Sequence, residues 1–162
     1  MADRISTLEA ELVRHGANDA RRARRFHGLM AAALGLDEEQ WQPWEDELGH
    51  VCDVEQALSS LADLADAAPE TVRGMVADPH QVRRLVRVLG GSAELGKYLT
   101  AHPNALDVLA AEPEQWSAEQ IRTDLLSSVS AIEQDGFLVS QADPARGADE
   151  LRLANRRHLL RI

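Results

Sequence analysis

The sequence predicts an all-α protein, an irregular array of six to eight helices. Three observations carry that expectation. Apolar residues recur at i, i+3, i+4 and i+7 through most of the chain. Aspartate, serine or proline stands where several of these stripes begin, as helix starts require. No convincing stretch alternates apolar and polar residues as a half-buried strand would. Composition agrees: 44% of the 162 residues are hydrophobic but only 4% are aromatic, so Leu, Val, Ile and Ala must build the core.

The elements follow in order. Ser6 and Glu9 have capping-box spacing and place the first helix start near Ser6, with Ile5, Leu8 and Leu12 on one face and Gly16 and Asn18 as breakers. Phe26, Leu29, Met30, Ala33 and Leu34 form the stripe of a second helix, which Gly35 is placed to end. Pro43 lies between Trp41 and Trp44, so any helix there is expected to restart at the proline. Asp53 caps a third clear helix, with Val54, Leu58, Leu61 and Ala65 inward, and Pro69 opens a short one reaching Ala77. Asp78-Pro79 begins the next, burying Val82, Leu85, Val86 and Leu89. Gly90-Gly91 stops it and Ser92 caps the following turn, where Leu95, Tyr98 and Leu99 continue the apolar face until His102-Pro103. Leu106 and Leu109 mark another short helix.

Ser117 and Gln120 form a second capping box. The helix they open is expected to bury Ile121, Leu125, Val129 and Ile132 and to end at Asp135-Gly136. Residues 136–147 read as a loop with Pro144 and Gly147 as breakers, Phe137-Leu138-Val139 being too brief to count as a strand. The final helix is placed from near Ala148. Two regions result, 1–52 with N-terminal helices of unassigned role and 53–162 with the clearer ones.

Charge and composition exclude several function classes. The formal net charge of −10 opposes non-specific binding to nucleic acid or anionic lipid, whose phosphates would repel it. Asp37 to Glu47 holds a run of carboxylates without a basic residue, which reads as a solvated surface. Cys52 is the single cysteine, so no internal disulfide forms, in keeping with a reducing cytoplasm. The start, Met-Ala-Asp-Arg-Ile, lacks the apolar segment of a secretory signal, and no run approaches the roughly 18 apolar residues of a membrane span.

The search for chemistry returns no catalytic, cofactor-binding or metal-ligating residue. His15, His27, His50, His80, His102 and His158 never pair at i, i+4. His50 and Cys52 would point apart on a helix, so Cys52 reads as inert and buried. Gly91-Ser92 followed by Asp107 resembles the start of a nucleotide-transfer site, in which glycine admits the phosphates and an Asp-x-Asp pair holds the activating metal ions. Here Val108 and Leu109 follow Asp107, so the second carboxylate is missing, and Gly90-Gly91-Ser92 is better read as a helix stop and restart. Three basic clusters remain: Arg21, Arg22, Arg24 and Arg25; Arg83, Arg84 and Arg87; and Arg156, Arg157 and Arg161. Each is more simply a solvated helix face than a phosphate site.

Two motifs carry a family resemblance. Leu89-Gly90-Gly91-Ser92-Ala93-Glu94-Leu95-Gly96-Lys97-Tyr98-Leu99-Thr100-Ala101-His102-Pro103 resembles a Leu-Gly-x-Ser-x-x-Leu-x-x-x-Leu-x-x-His-Pro pattern. It occurs in the N-terminal helical region of bifunctional glutamine synthetase adenylyltransferase/adenylyl-removing enzymes, particularly the actinobacterial forms. The closing Arg156-Arg157-His158-Leu159-Leu160-Arg161-Ile162 is similar to their Arg-Arg-x-Leu-Leu-Arg-Ile, which leads toward the first nucleotidyltransferase domain. The resemblance spans about residues 53–162.

The resemblance implies a cytoplasmic transferase of nitrogen regulation. One domain of such an enzyme moves AMP from ATP to a tyrosine of glutamine synthetase, another removes it by phosphorolysis, both use Mg²⁺ on paired aspartates, and PII-type signal proteins set the balance. The first Gly-Gly…Asp-x-Asp is expected downstream of Ile162, so none of the family's catalytic residues maps onto this sequence. The expectation is a non-catalytic fragment, an incomplete part of a larger multidomain protein cut before its first nucleotidyltransferase motif. The alternative is a stand-alone helical protein-interaction module with no enzymatic role.

Overall fold

A computed structural model describes residues 2–111 and 115–161, without the side chains of residues 2–7 and of Glu38. Among the described residues there are ten α-helices, one short 3₁₀ helix and a two-stranded sheet. The all-α expectation holds, with a larger number of helices than six to eight. The contacts divide the chain into two compact units, Met1–Ala110 and Ala111–Ile162.

The first unit comprises α1 (Ala2–Arg14), α2 (Ala20–Leu34), α3 (Glu38–Leu48), α4 (Val54–Ala67), α5 (Pro69–Met75), α6 (Pro79–Gly91), α7 (Ala93–Ala101), the 3₁₀ turn Pro103–Leu106 and α8 (Asp107–Ala110). Its centre is α4, which packs against α2, α5, α6 and α7. That position explains its composition: Val54, Ala57, Leu58, Leu61, Ala62, Leu64 and Ala65 are all buried, far more than a one-sided stripe. The alanines let neighbouring helices come close, and the leucines fill the gaps between them.

Helix starts are fixed where the sequence puts their caps. Asp19, Asp37, Asp53, Asp78 and Ser92 each accept a hydrogen bond from a backbone N–H in the first turn that follows. Gly35 ends α2 in the left-handed conformation at φ +62°, where a side chain would be strained. Arg73 then donates from Nε to the Leu34 carbonyl at 2.8 Å, satisfying an acceptor that the helix end leaves open.

Several details correct the sequence reading. The backbone of α1 is already helical at Ala2, and the Ser6 cap and Ile5 lie outside the described side chains. Leu29 is 51% exposed, because the inward face of α2 runs through Ala23, Met30 and Leu34. Pro43 does not interrupt α3. A reciprocal box between Asp37 and Gln40 fixes the first turn, and Pro43 forfeits a single backbone bond while Trp41 and Trp44 are both buried. Cys52 is exposed in the α3–α4 connection, not buried.

The second unit holds α9 (Ala118–Ser128), β1 (Ala131–Gln134), β2 (Phe137–Ser140) and α10 (Pro144–Leu159). The Ser117–Gln120 capping box is present in both directions. The helix it opens stops at Ser128, however, and none of its residues is fully buried. Ile132 belongs to a strand and is exposed. Asp135 and Gly136, expected as a helix end, form a two-residue hairpin turn with φ of +53° and +81°. Positive φ at both positions matches the twist of the flanking strands, and Asp-Gly is among the sequences that tolerate it best. The brief Phe137-Leu138-Val139 run is therefore a real strand, paired antiparallel with Ile132 opposite Val139. Helix α10 begins at Pro144, not Ala148, because Asp143 accepts from Ala145 and Arg146 N–H at 3.0 and 3.3 Å.

Candidate functional site

The first motif is spread through the joint between α6 and α7, and each of its distinctive residues has an architectural task. Leu89, Tyr98 and Leu99 are buried. Ser92 accepts from Leu95 N–H at 3.3 Å and restarts the helix, as its reading as a cap requires. Gly90 sits against Val51, whose Cβ would lie 2.6 Å from a Cβ added there. Gly96 faces Ser60 of α4, whose Oγ would be 2.8 Å from such a Cβ. Gln56 donates from Nε2 to the Leu89 carbonyl at 2.9 Å, tying α4 to the end of α6. The His102 ring lies 5.0 Å from that of Tyr98, and Pro103 opens the 3₁₀ turn. Asp107 stands exposed at the start of α8, on a helix and not on a strand.

The second motif ends α10. His158 is buried, and its Nε2 lies 3.0 Å from Asp124 Oδ2 on α9. Trp116 packs its ring 5.2 Å from His158 and receives the Arg161 guanidinium at 4.3 Å from its centroid. Leu160 is buried and Leu159 exposed; Ile162 lies outside the described residues. Beside these groups, a groove of about 490 Å³ is lined by Trp116, Ser117, Gln120, Thr123 and Asp124 among others.

The strongest polar cluster was not anticipated as one. Glu47, in the carboxylate run read as solvated, is 8% exposed. Its Oε1 accepts from Arg83 Nε at 2.7 Å and its Oε2 from Arg87 Nε at 3.3 Å. Burial raises the Glu47 pKa, but the hydrogen bonds and charges of Arg83 and Arg87 together outweigh it and hold the carboxyl below its ordinary value. Helical spacing groups the two arginines, at i and i+4, in one of the basic clusters of the sequence. Nothing local could have paired them with a glutamate so far away in sequence.

The remaining basic residues largely have partners. Arg84 donates to the Leu109 carbonyl at 2.8 Å, Arg24 pairs with Glu9 at 3.1 Å, and Arg22 lies over Phe26. His27 stands 3.4 Å from Glu45 and packs on Trp41, with ring centroids 4.9 Å apart. Among the described residues no three His, Cys, Asp or Glu side chains gather as a metal site would. No helix among them is long and apolar enough to cross a membrane.

The chain is similar over nearly its whole length to curated enzymes named bifunctional glutamine synthetase adenylyltransferase/adenylyl-removing enzyme. With that of Cutibacterium acnes it shares 37% identity over 160 residues, 99% of this chain and 16% of the relative. With that of Bifidobacterium longum subsp. infantis it shares 31% over 159 residues, 94% of this chain and 15% of the relative. A further Bifidobacterium longum enzyme of the same name is 28% identical over 159 residues. The chain thus spans about a sixth of the length of the relatives it matches. No protein-family model and no solved structure matches it significantly.

Proposed function

We infer that a chain homologous throughout to one segment of bifunctional glutamine synthetase adenylyltransferase/adenylyl-removing enzymes serves as a helical support within such an enzyme. The observation that carries this reading is the 37% identity running over 99% of the chain while covering 16% of the relative. The segment belongs to the N-terminal helical region, ahead of the nucleotidyltransferase domain that removes AMP from glutamine synthetase. ATP, Mg²⁺ and the transfer chemistry are assigned to other parts of the enzyme, and glutamine synthetase and a PII-type protein are its partners. The setting is the cytoplasm.

Two structural features support a supporting role. The motif residues that carry the resemblance act as caps, close helix contacts and core, tasks that suit a scaffold. The second unit also leaves a large apolar surface uncovered: Ile132, Phe137 and Val139 share one face of the hairpin, and Phe137 is 73% exposed. Monomeric proteins rarely leave such faces bare without a partner.

The test uses the Cutibacterium acnes enzyme with its matched segment deleted. Supplying the 162-residue chain in trans is expected to restore removal of AMP from adenylylated glutamine synthetase, while the chain alone releases none. Phosphate-dependent AMP release by the chain alone sinks the non-catalytic reading. Failure to bind or restore the deleted enzyme, with cooperative melting and no binding of a hydrophobic dye, favours the stand-alone interaction module instead.

A further inference from the structure

We propose that Arg83 and Arg87, held side by side by Glu47, form a binding site for a phosphate-type oxyanion on the outer face of α6. The geometry is unusual for a pair whose only task is to neutralise a carboxylate. One guanidinium can take both oxygens of a carboxylate in a bidentate fork. Glu47 instead gives one oxygen to each arginine, and each arginine answers through Nε, at 2.7 and 3.3 Å. Engagement through Nε leaves the Nη groups of both forks with no further hydrogen-bond partner among the described residues. The two arginine side chains are 47% and 53% exposed, while the Glu47 side chain beneath them is 10% exposed.

Two cations over one carboxylate leave a local excess of positive charge, in a chain whose formal net charge is −10. The arginines are spaced i, i+4 on one helix, and their guanidiniums are anchored to the same carboxylate. Their donors are therefore ordered before any ligand arrives, which lowers the entropy cost of binding. Arginine's planar fork matches two oxygens of a phosphate, whereas a lysine would offer a point charge. His80, one turn before Arg83, is exposed on the same face and adds a further donor. Arg84 is the internal contrast: it donates to the Leu109 carbonyl, so its position one residue on from Arg83 serves the fold.

The site takes the phosphate group itself, whether inorganic or carried on a nucleotide. It rests on the first unit alone and not on the proposed support role, so either can fail without the other. The experiment follows the arginine Nε–Hε signals of the full chain by NMR at constant ionic strength, titrating inorganic phosphate in one arm and AMP in another. Saturable shifts of the Arg83 and Arg87 signals are expected, with a dissociation constant on the order of 1 mM and little movement of Arg73 or Arg84. Equal affinity in both arms confines recognition to the phosphate; tighter AMP binding extends the same site to a nucleotide. Arg87→Gln is expected to weaken binding at least about tenfold, a step of about 1.4 kcal/mol. Arg87→Lys keeps the charge and loses the fork, and should weaken binding nearly as much even if the glutamine variant folds poorly. Linear, unsaturated shifts up to about 10 mM phosphate, or undiminished binding by both variants, overturn the proposal.

Discussion

The two units of the chain solve the burial problem differently. In Met1–Ala110 the large aliphatic side chains of α4 and α6 lie almost wholly inside, and among the described side chains the exposed large hydrophobics are Val13 and Leu29. Among the described residues of Ala111–Ile162 the buried hydrophobic side chains are Val129, Ala154 and Leu160, while Ile132, Phe137, Leu138, Val139, Leu151 and Leu159 are exposed. Burial stabilises by about 25 cal/mol per Å² of apolar surface, so the first unit has a core of its own and the second has a thin one. The difference separates a body that packs around α4 from a smaller piece that leaves much of its apolar surface exposed.

Core truncation should break that contrast open most widely. Leu64→Ala removes a fully buried side chain from α4, and unfolding by urea should show a loss of about 2–5 kcal/mol. Phe137→Ala, on the hairpin, should change stability by less than about 0.5 kcal/mol while reducing binding of a hydrophobic dye. Equal destabilisation by both would mean that the hairpin face is covered in solution.

A smaller effect tests whether the glycines of the first motif are structural. Gly96→Ala places a Cβ 2.8 Å from Ser60 Oγ, and forcing α4 and α7 apart should cost about 1–3 kcal/mol. Ser60→Ala in the same chain removes the nearer of the two clashing atoms, leaving Ser60 Cβ at 3.0 Å, and should recover part of the loss. An unchanged midpoint in the single variant would show that the helices are not packed as tightly as the structure has them.

The Glu47 cluster offers a pH test of the same unit. Its carboxyl titrates below the ordinary 4.5 in the folded chain, so its stabilisation is complete above that value. It is lost as pH falls from there through the folded-state value, because the unfolded chain then takes up the proton more readily. The arginines are half exposed, which screens the pair, and the contribution should be about 1–2 kcal/mol. Glu47→Gln should lower stability at neutral pH and flatten this part of the acid limb. A variant whose acid unfolding runs parallel to the wild type would remove Glu47 from the account.

The contrast between the units also marks where the sequence was legible. Stripes and caps at Asp53, Asp78 and Ser92 are local, and the helices they predict in the first unit are there with Leu58, Leu85 and Leu89 inside. The hairpin was missed because Asp135-Gly136 serves equally as a helix stop and as a turn, and helical spacing happened to extend to Ile132. Ser130, at φ +49°, breaks the helix before that residue, and serine carries no such signal in sequence. The Glu47 cluster was hidden for another reason: partners on α3 and α6 meet only through tertiary packing.

Cys52 gives the smallest effect and the sharpest reversal. Its apolar character and the absence of a partner cysteine favour a buried thiol, yet its neighbours decide otherwise. Val51 is occupied against Gly90 and Asp53 with capping α4, so the residue between them turns outward in the connecting segment. Cys52→Ser should therefore leave the unfolding midpoint within about 0.5 kcal/mol of the wild type. A thiol reagent should label the native chain as fast as a small exposed thiol peptide, without waiting for unfolding. Labelling that tracks the unfolding rate would place the thiol inside, and the α3–α4 connection would have to be packed with the opposite face toward α6.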